Sequence, residues 1–359
     1  MPKKPLPPTF EYVLRFDALL SAFRRARRAK RGKGGEPAFY RDLESNLLRL
    51  SQELRDHTYR PDPYRYFRLW NKKERVVSEA SFRDRVVHHS LVAALEPTFE
   101  ALFIRHSYAC RKGKGMHAAM VAARRLAAAF PYFLKLDVRK YFDCVSHDVL
   151  LEMLACEVAD DGLLWLCRVL LDGADVPNAA GAPRGLPIGN LTSQFWANVY
   201  LNALDHYIRD DLDCGSYLRY MDDLVLFAHR KERLWGWAAA IRTFCRDRLR
   251  LELKDEVTVL APVNEGVPWL GFRVHPGLVR IDAAGRRRFV RKLEASWIRA
   301  GEGLLCEEVE RDRAASLCGH LHLANGMALR QSVVFRLDGV DPMMQGSSLC
   351  STGAAAPTG

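Results

Sequence analysis

Leu218-Arg219-Tyr220-Met221-Asp222-Asp223-Leu224-Val225-Leu226-Phe227-Ala228 consists of two short apolar runs around a pair of adjacent carboxylates. The β-branched and aromatic content, with alternation before the acids, predicts a hairpin with Asp222 and Asp223 at its turn. Adjacent aspartates repel, and the usual compensator is a divalent cation. An Asx turn on the surface is the plain alternative, and the rest of the chain decides between the two.

A third carboxylate comes from Phe133-Leu134-Lys135-Leu136-Asp137-Val138-Arg139-Lys140-Tyr141-Phe142-Asp143, read as a strand ending at Asp137. A turn then leads to a helix near Ser146, with Ser146 or Asp148 able to cap it. Asp137 meets Asp222 only if the sheet sets both strands side by side. Carboxylates gathered in that way suit two Mg²⁺ ions, with water and phosphate completing the shells. Between these acids lies Gly185-Leu186-Pro187-Ile188-Gly189-Asn190-Leu191-Thr192-Ser193-Gln194, a Gly-containing turn that brings backbone close to a nucleotide or base pair. A broadly buried helix follows. Trp196, Tyr200, Leu204 and Ile208 form one row, and Asn198, Asn202, Asp205 and Arg209 form a polar face.

The chain has 359 residues, 48% of them hydrophobic, which is enough for a folded chain of two or three lobes. Lys and Arg number 54 against 43 Asp and Glu, a formal net charge of +11. That balance favours a polyanionic partner, nucleic acid before a membrane surface. No apolar run reaches the roughly 18–20 residues of a membrane span, and no apolar signal core follows Lys3 and Lys4. Nine scattered cysteines without a Cys-x-x-Cys argue for reduced thiols in a cytosolic compartment.

Seven of the ten residues from Arg24 to Lys33 are Arg or Lys, Arg24, Arg25, Arg27 and Arg28 among them. They are candidates for the phosphate backbone. A helix is expected over 37–56, with Phe39, Leu43, Leu47 and Leu50 on one face. Tyr59 to Arg68 interleaves aromatic and basic residues. It reads as an edge strand with packed aromatics in preference to a base-stacking surface. A strand-like piece at 73–77 contains Arg75, and a helix from Phe82 to Leu95 ends before Pro97. Ser107 to Gly115 is a flexible cationic loop, either a plain solvated loop or one in which Arg111 and Lys112 suit a triphosphate or a nucleic-acid backbone. A helix is expected over 235–250, a strand over 249–260, and a strand–turn at Trp269 to Val274. Arg286, Arg287, Arg288, Arg291 and Lys292 open a basic helical section. Cys318, His320 and His322 fit no zinc spacing, and the Gly/Ser/Ala-rich end is expected to be disordered.

These pieces, in this order, resemble a reverse transcriptase. Leu136-Asp137 with Phe142 resembles the first palm motif and Tyr220-Met221-Asp222-Asp223 the third. Leu249 to Leu260 resembles the fourth, and Leu270-Gly271-Phe272 the strand before the thumb. Asp84-Arg85-Val86-Val87-His88 and Ser107 to Gly115 resemble the finger motifs of bacterial, group II intron-like enzymes. The second palm motif departs from the common Gln-Gly-x-x-x-Ser-Pro. Ile188-Gly189-Asn190-Leu191-Thr192-Ser193-Gln194 is similar to the form in diversity-generating retroelements, whose enzymes misincorporate opposite template adenines.

The resemblance implies an α+β right-hand polymerase fold: fingers, a palm of antiparallel sheet backed by helices, and a helical thumb. It implies a basic N-terminal extension over 1–70, fingers over 71–130, palm over 131–280 with a crossover helix at 189–209, thumb over 281–338 and tail over 339–359. Asp137, Asp222 and Asp223 would be catalytic. They would hold two Mg²⁺ ions, or Mn²⁺ in their place, with the carbonyl of Val138. Phe142, Arg75, Arg111, Lys112, Ile188, Gly189 and Gln194 would line the nucleotide site, with Phe142 a steric gate against the ribose 2′-hydroxyl. Arg24, Arg25, Arg27, Arg28, Arg287 and Arg288 would meet nucleic acid. The implied partners are template RNA, a DNA or RNA primer, dNTPs and a small basic accessory protein, in the cytoplasm of a bacterium. The alternatives are a retron, group II intron-like or phage-defence enzyme, and a non-catalytic RNA-binding relative.

Overall fold

A computed structural model describes residues 7–28, 30–70, 74–173, 184–301, 315 and 324. The expected thumb beyond 301, the tail, Cys318, His320 and His322 fall outside the described residues, apart from the isolated positions 315 and 324. The chain divides into two compact units. One comprises Met1–Gly115, Leu134–Leu226 and Arg230–Leu260, the other Met116–Phe133, Phe227–His229 and Ala261–Gly359.

The first unit opens with α1 (Phe10–Leu14), α2 (Phe16–Arg27), α3 (Glu36–Arg41) and α4 (Leu43–Arg55), then the hairpin β1 (Arg65–Trp70) and β2 (Glu74–Glu79), then α5 (Phe82–Leu102). In α2 the buried Ala18, Leu19, Ala22, Phe23 and Ala26 recur at helical spacing. This face packs on α5, where Phe23, Phe39 and Phe82 form an aromatic cluster with centroids 5.5–6.0 Å apart. The N-terminal helices are thus part of this unit's core and do not stand apart as an extension.

The single helix expected over 37–56 is broken at Asp42, which leaves helical geometry (φ −115°, ψ 43°). The Asn46 side-chain amide donates to the Phe39 carbonyl across that break (3.1 Å). α5 runs through Pro97 instead of ending before it. The proline removes one backbone N–H. Burial of Phe99 beyond it, edge-on to Phe195 at 5.5 Å, offsets the loss.

Next in chain order come α6 (Met116–Ala129), β3 (Tyr132–Asp137), α7 (Tyr141–Cys144), α8 (His147–Glu157), α9 (Asp161–Asp172) and α10 (Leu191–His206). They are followed by β4 (Tyr217–Tyr220), β5 (Asp223–Ala228), α11 (Lys231–Leu249) and β6 (Val259–Pro262). The strands form a four-stranded sheet in the order β4-β5-β3-β6. Asp160 caps α9 by accepting from the Leu163 N–H (3.1 Å), and its other oxygen accepts from the Phe10 N–H (2.8 Å). The 249–260 strand is shorter than expected. Leu253 makes one bridge to Val138, residues 255–257 form a 3-10 turn, and β6 begins at Val259.

The second unit contains β7 (Val267–Trp269), β8 (Phe272–His275), β9 (Leu278–Ile281) and α12 (Ala283–Gly301). Leu270 and Gly271 both have positive φ (50° and 86°), the geometry of a tight two-residue hairpin between Trp269 and Phe272. α6 buries Ala119, Met120, Ala123 and Ala127 and packs on β7 and β8.

The β1–β2 ribbon corrects a further expectation. All six residues of β1 are exposed, and Tyr66, Phe67, Leu69 and Trp70 are among the most exposed large apolar side chains described. Successive side chains of a strand point to opposite faces, so with all six residues exposed both faces of β1 meet solvent.

Candidate active site

In β3, Phe133, Leu134 and Leu136 are buried, while Lys135 and Asp137 are partly exposed at alternate positions. Alternation puts those two polar side chains on one face of the strand. β4 and β5 pair antiparallel, with Tyr220 opposite Asp223 and Met221-Asp222 as the connection. Met221 adopts φ +57°, a strained choice for a non-glycine residue. The expected hairpin with the paired acids at its turn is present.

β5 lies next to β3. The Lys135 ammonium is 3.1 Å from Asp223 Oδ1, so the start of β5 meets the end of β3. Residues 252–254 clamp the other side of Asp137. The Lys254 N–H donates to the Asp137 carbonyl (2.9 Å), and the Arg139 N–H donates to that of Glu252 (2.8 Å). The Lys254 ammonium is 3.9 Å from Asp137 Oδ1. Thus Asp137 and Asp223 each face a lysine, Lys254 and Lys135 respectively. No three His, Cys, Asp or Glu among the described residues are gathered closely enough to hold a metal ion. The expected three-carboxylate cluster is absent in that sense. The donor chemistry, hard carboxylate oxygens at partly exposed strand ends, still fits a divalent ion. Val138 is buried and bridged to Leu253.

Under the turn lies a buried polar network that spacing did not reveal. Arg219 is fully buried and donates through Nε and Nη2 to both oxygens of the equally buried Asp205 (2.7 and 2.6 Å). Its Nη1 donates to Asn198 Oδ1 (3.1 Å) and to the Met221 carbonyl (3.2 Å). Tyr217 donates its hydroxyl to Asp205 (2.9 Å). Burial disfavours the Arg219 charge, but Asp205 outweighs it and raises the guanidinium pKa. Part of the polar face expected on α10 is therefore interior. The available signal was a lone arginine inside an otherwise apolar strand.

The Ile188-Gly189 turn rests on β2. The Ile188 carbonyl accepts from the Ser78 N–H (2.7 Å), and Asn190 donates to the Ser78 carbonyl (3.2 Å). Gly189 has φ +114°, and a Cβ there would lie 2.8 Å from Val77 Cγ1, so only glycine fits. Gln194 accepts a weak contact from the Cys110 thiol (3.6 Å). Phe142 is half-buried with its ring 5.6 Å from Tyr141, and its carbonyl accepts from the Leu186 N–H (2.7 Å).

Arg111 corrects the triphosphate expectation. Its side chain is 5% exposed, paired to Glu100 (2.9 Å), bound to the carbonyls of Ile104 (2.6 Å) and Ser107 (3.0 Å), and set over Phe103. It braces the loop instead of facing a ligand. That loop is no loose tether either, since Ser107 bridges Arg219 and the Tyr108 N–H donates to the Arg219 carbonyl. Lys112 is exposed and pairs with Glu96 (2.6 Å). Arg75 lies on β2 opposite Leu69, and its side chain is outside the described part.

Of the N-terminal arginines, Arg24 and Arg28 are exposed. Arg27 turns inward to Glu36 (2.6 Å) with its guanidinium 4.0 Å from the Tyr40 ring centroid. Arg25 is partly buried and reaches the His89 carbonyl (3.5 Å). These two are corrected from nucleic-acid contacts to internal anchors. Arg287 is exposed and Arg288 half-exposed on α12. No helix among the described residues is long and apolar enough to cross a membrane.

The family described as "Reverse transcriptase (RNA-dependent DNA polymerase)" matches residues 61–274. Protein YkfC of Escherichia coli is 26% identical over 277 residues, covering 65% of this chain and 72% of that protein. The group II intron-encoded protein LtrA of Lactococcus lactis is 26% identical over 298 residues, covering 64% of this chain, which spans half of LtrA. Among solved structures, a truncated apo telomerase from Candida tropicalis aligns with a TM-score of 0.45 at 13% identity, over 67% of this chain and 60% of that one. With a matched stretch that runs from β1 to β8 and includes Asp137, Asp222 and Asp223, the chain belongs to the reverse transcriptase family, whose right-hand polymerase fold its mixed helices and sheets follow.

Proposed function

We propose that the chain extends a primer with dNTPs on an RNA template, with Asp137 and Asp222 as the catalytic carboxylates and Asp223 beside them. The observation that carries this reading is the adjacency of β3 and β5, pinned by the Lys135–Asp223 ion pair. A divalent cation, Mg²⁺ or Mn²⁺, would supply Lewis acidity there, lowering the pKa of the primer 3′-hydroxyl and taking up charge on the transferring phosphoryl group. The chain's own part is positional. Asp137 and the 221–223 turn aim carboxylates at the reacting phosphate, and Lys135 and Lys254 keep them from repelling one another. Phe142 crowds the ribose 2′ position, and the Ile188-Gly189 turn and Gln194 border the incoming nucleotide. Lys112 and Arg75 are the cations proposed for its triphosphate. Arg24, Arg28, Arg287 and Arg288 meet nucleic-acid backbone.

The finer reading is copying of a template-repeat RNA with errors at adenine, helped by a small basic accessory protein. It is supported by Ile188, where a branched hydrocarbon replaces an amide able to hydrogen-bond the nucleotide. Losing such a bond removes about 1–3 kcal/mol of discrimination, roughly ten- to a hundred-fold in errors. An intron-encoded role, as the name of the Lactococcus relative states for that protein, fits the family equally well.

The test is primer extension on a defined RNA with Mg²⁺, wild type beside Asp222→Asn, with cDNA sequencing. Synthesis abolished by Asp222→Asn supports the polymerase reading. Errors concentrated opposite adenine, and reduced in Ile188→Gln, support the diversifying one. Accurate cDNA leaves the polymerase and discards diversification. RNA binding without synthesis under any condition favours a non-catalytic relative.

A further inference from the structure

We infer that Arg219 is a positioning residue for Asp222, acting through the peptide that joins Met221 to Asp222. This rests on the polymerase reading of the site. The Arg219 guanidinium donates to the Met221 carbonyl (3.2 Å) from a fully buried position. That carbonyl and the Asp222 N–H belong to one planar unit. Holding the oxygen fixes the plane, and the plane sets the direction in which Asp222 leaves the turn. The tether acts where the chain is strained, at Met221 with φ +57°.

The guanidinium is itself held from three sides. Asp205 takes the Nε and Nη2 donors as a fork, and Asn198 shares Nη1 with Met221. Both acceptors stand on α10, the helix that begins just after the Ile188-Gly189 turn. The Arg219 backbone binds the 106–108 segment: its N–H donates to the His106 carbonyl (3.0 Å) and its carbonyl accepts from Tyr108 (3.0 Å). Asn198 also donates to the Ala109 carbonyl (2.9 Å). The Arg219 side chain thus references the acidic turn to α10, and its backbone, with Asn198, ties the same residue to the 106–109 loop.

Stability alone does not call for this arrangement. A buried ion pair is often replaceable by apolar residues of similar volume without loss of stability. An apolar pair cannot hold the Met221 carbonyl, and an ammonium lacks the fork that reaches Asp205 and that carbonyl together.

The test compares wild type with the double variant Arg219→Met/Asp205→Leu, and with Arg219→Lys/Asp205→Glu should the first fail to fold. Tyr217→Phe is the control, because it removes a bond to Asp205 without touching Met221. Each protein is measured for melting temperature, primer–template affinity, kcat and KM for dNTP, and amide exchange over 220–224. The inference expects a melting temperature within about 4 °C of wild type and unchanged primer–template affinity. It expects kcat lower on the order of 100-fold, KM changed less than about threefold, and faster exchange confined to 220–224. Tyr217→Phe keeps wild-type kcat. A folded variant with wild-type kcat and wild-type exchange at the turn overturns the inference. If wild-type protein itself makes no cDNA, the polymerase reading fails separately, and the exchange at 220–224 alone decides whether Arg219 holds the turn.

Discussion

The β4–β5 hairpin and the β1–β2 hairpin have similar strand lengths and lie in opposite surroundings. In the first, Tyr217, Leu218, Arg219, Leu224, Val225 and Leu226 are essentially inaccessible to solvent. In the second, β1 is exposed at every residue. The buried hairpin has neighbours that hold the Met221 carbonyl and the Asp223 carboxylate at its turn. The exposed one is joined to the unit at its root through Ser78, which bonds Ile188 and Asn190. Backbone pairing alone makes a hairpin. Burial on both faces makes one that can aim a carboxylate.

The largest effect is expected at the buried turn. Asp222→Asn should lower cDNA synthesis at least about a thousand-fold, since several kcal/mol of transition-state stabilisation are lost. Its unfolding curve in urea should match wild type. A coincident loss of stability would mean that Asp222 holds the hairpin together, and the contrast would fail.

Where the 188–190 turn rests on β2, Gly189→Ala forces a Cβ to within 2.8 Å of Val77 in a left-handed backbone. It should destabilise by about 2–3 kcal/mol in chemical denaturation and raise KM for dNTP more than it lowers kcat. A neutral result would show that β2 yields as freely as β1.

The frame behind the buried hairpin should respond to pH. His88 on α5 is fully buried, and burial, then His89 and Arg85, lower its pKa to about 3. It stays neutral in the folded state, whereas the unfolded chain takes up a proton near pH 6.5. Its contribution is complete above pH 6.5 and is lost as pH falls toward 3, by about 1.4 kcal/mol per pH unit. Between pH 6.5 and 5 that is about 2 kcal/mol, and His88→Leu should flatten this part of the stability profile. Equal slopes for the two proteins would mean that His88 is protonated in place.

The smallest effect belongs to the exposed ribbon. Trp70 is 78% exposed, so Trp70→Ala should change the unfolding free energy by less than about 0.5 kcal/mol. A loss of 2 kcal/mol or more would reveal packing on β1 and erase the difference between the hairpins.

Strand-end acids and the paired-acid turn were legible because apolar alternation marks strands and a break in it marks their ends. Asp137 and Asp222 needed no more than that, together with the order of motifs. Whether a cation is spent inside the protein was not legible. Arg111 and Lys112 are adjacent in sequence, yet one is buried against Glu100 and the other is exposed. Arg27 and Arg28 differ in the same way. The contact of Lys135 with Asp223 and that of Lys254 with Asp137 depend on which strands become neighbours, which no local pattern encodes. Pro97 misled for the reverse reason, since a local breaking signal was overridden by tertiary packing of α5.

The Arg219–Asp205 pair also constrains how this sequence can change over generations. Both side chains have no solvent access, so exchanging either one alone strands a charge in the interior, at a cost of several kcal/mol. A single change to an uncharged residue therefore passes through a destabilised protein, which two changes made together avoid. The two positions, fourteen residues apart, are therefore inherited as a single character.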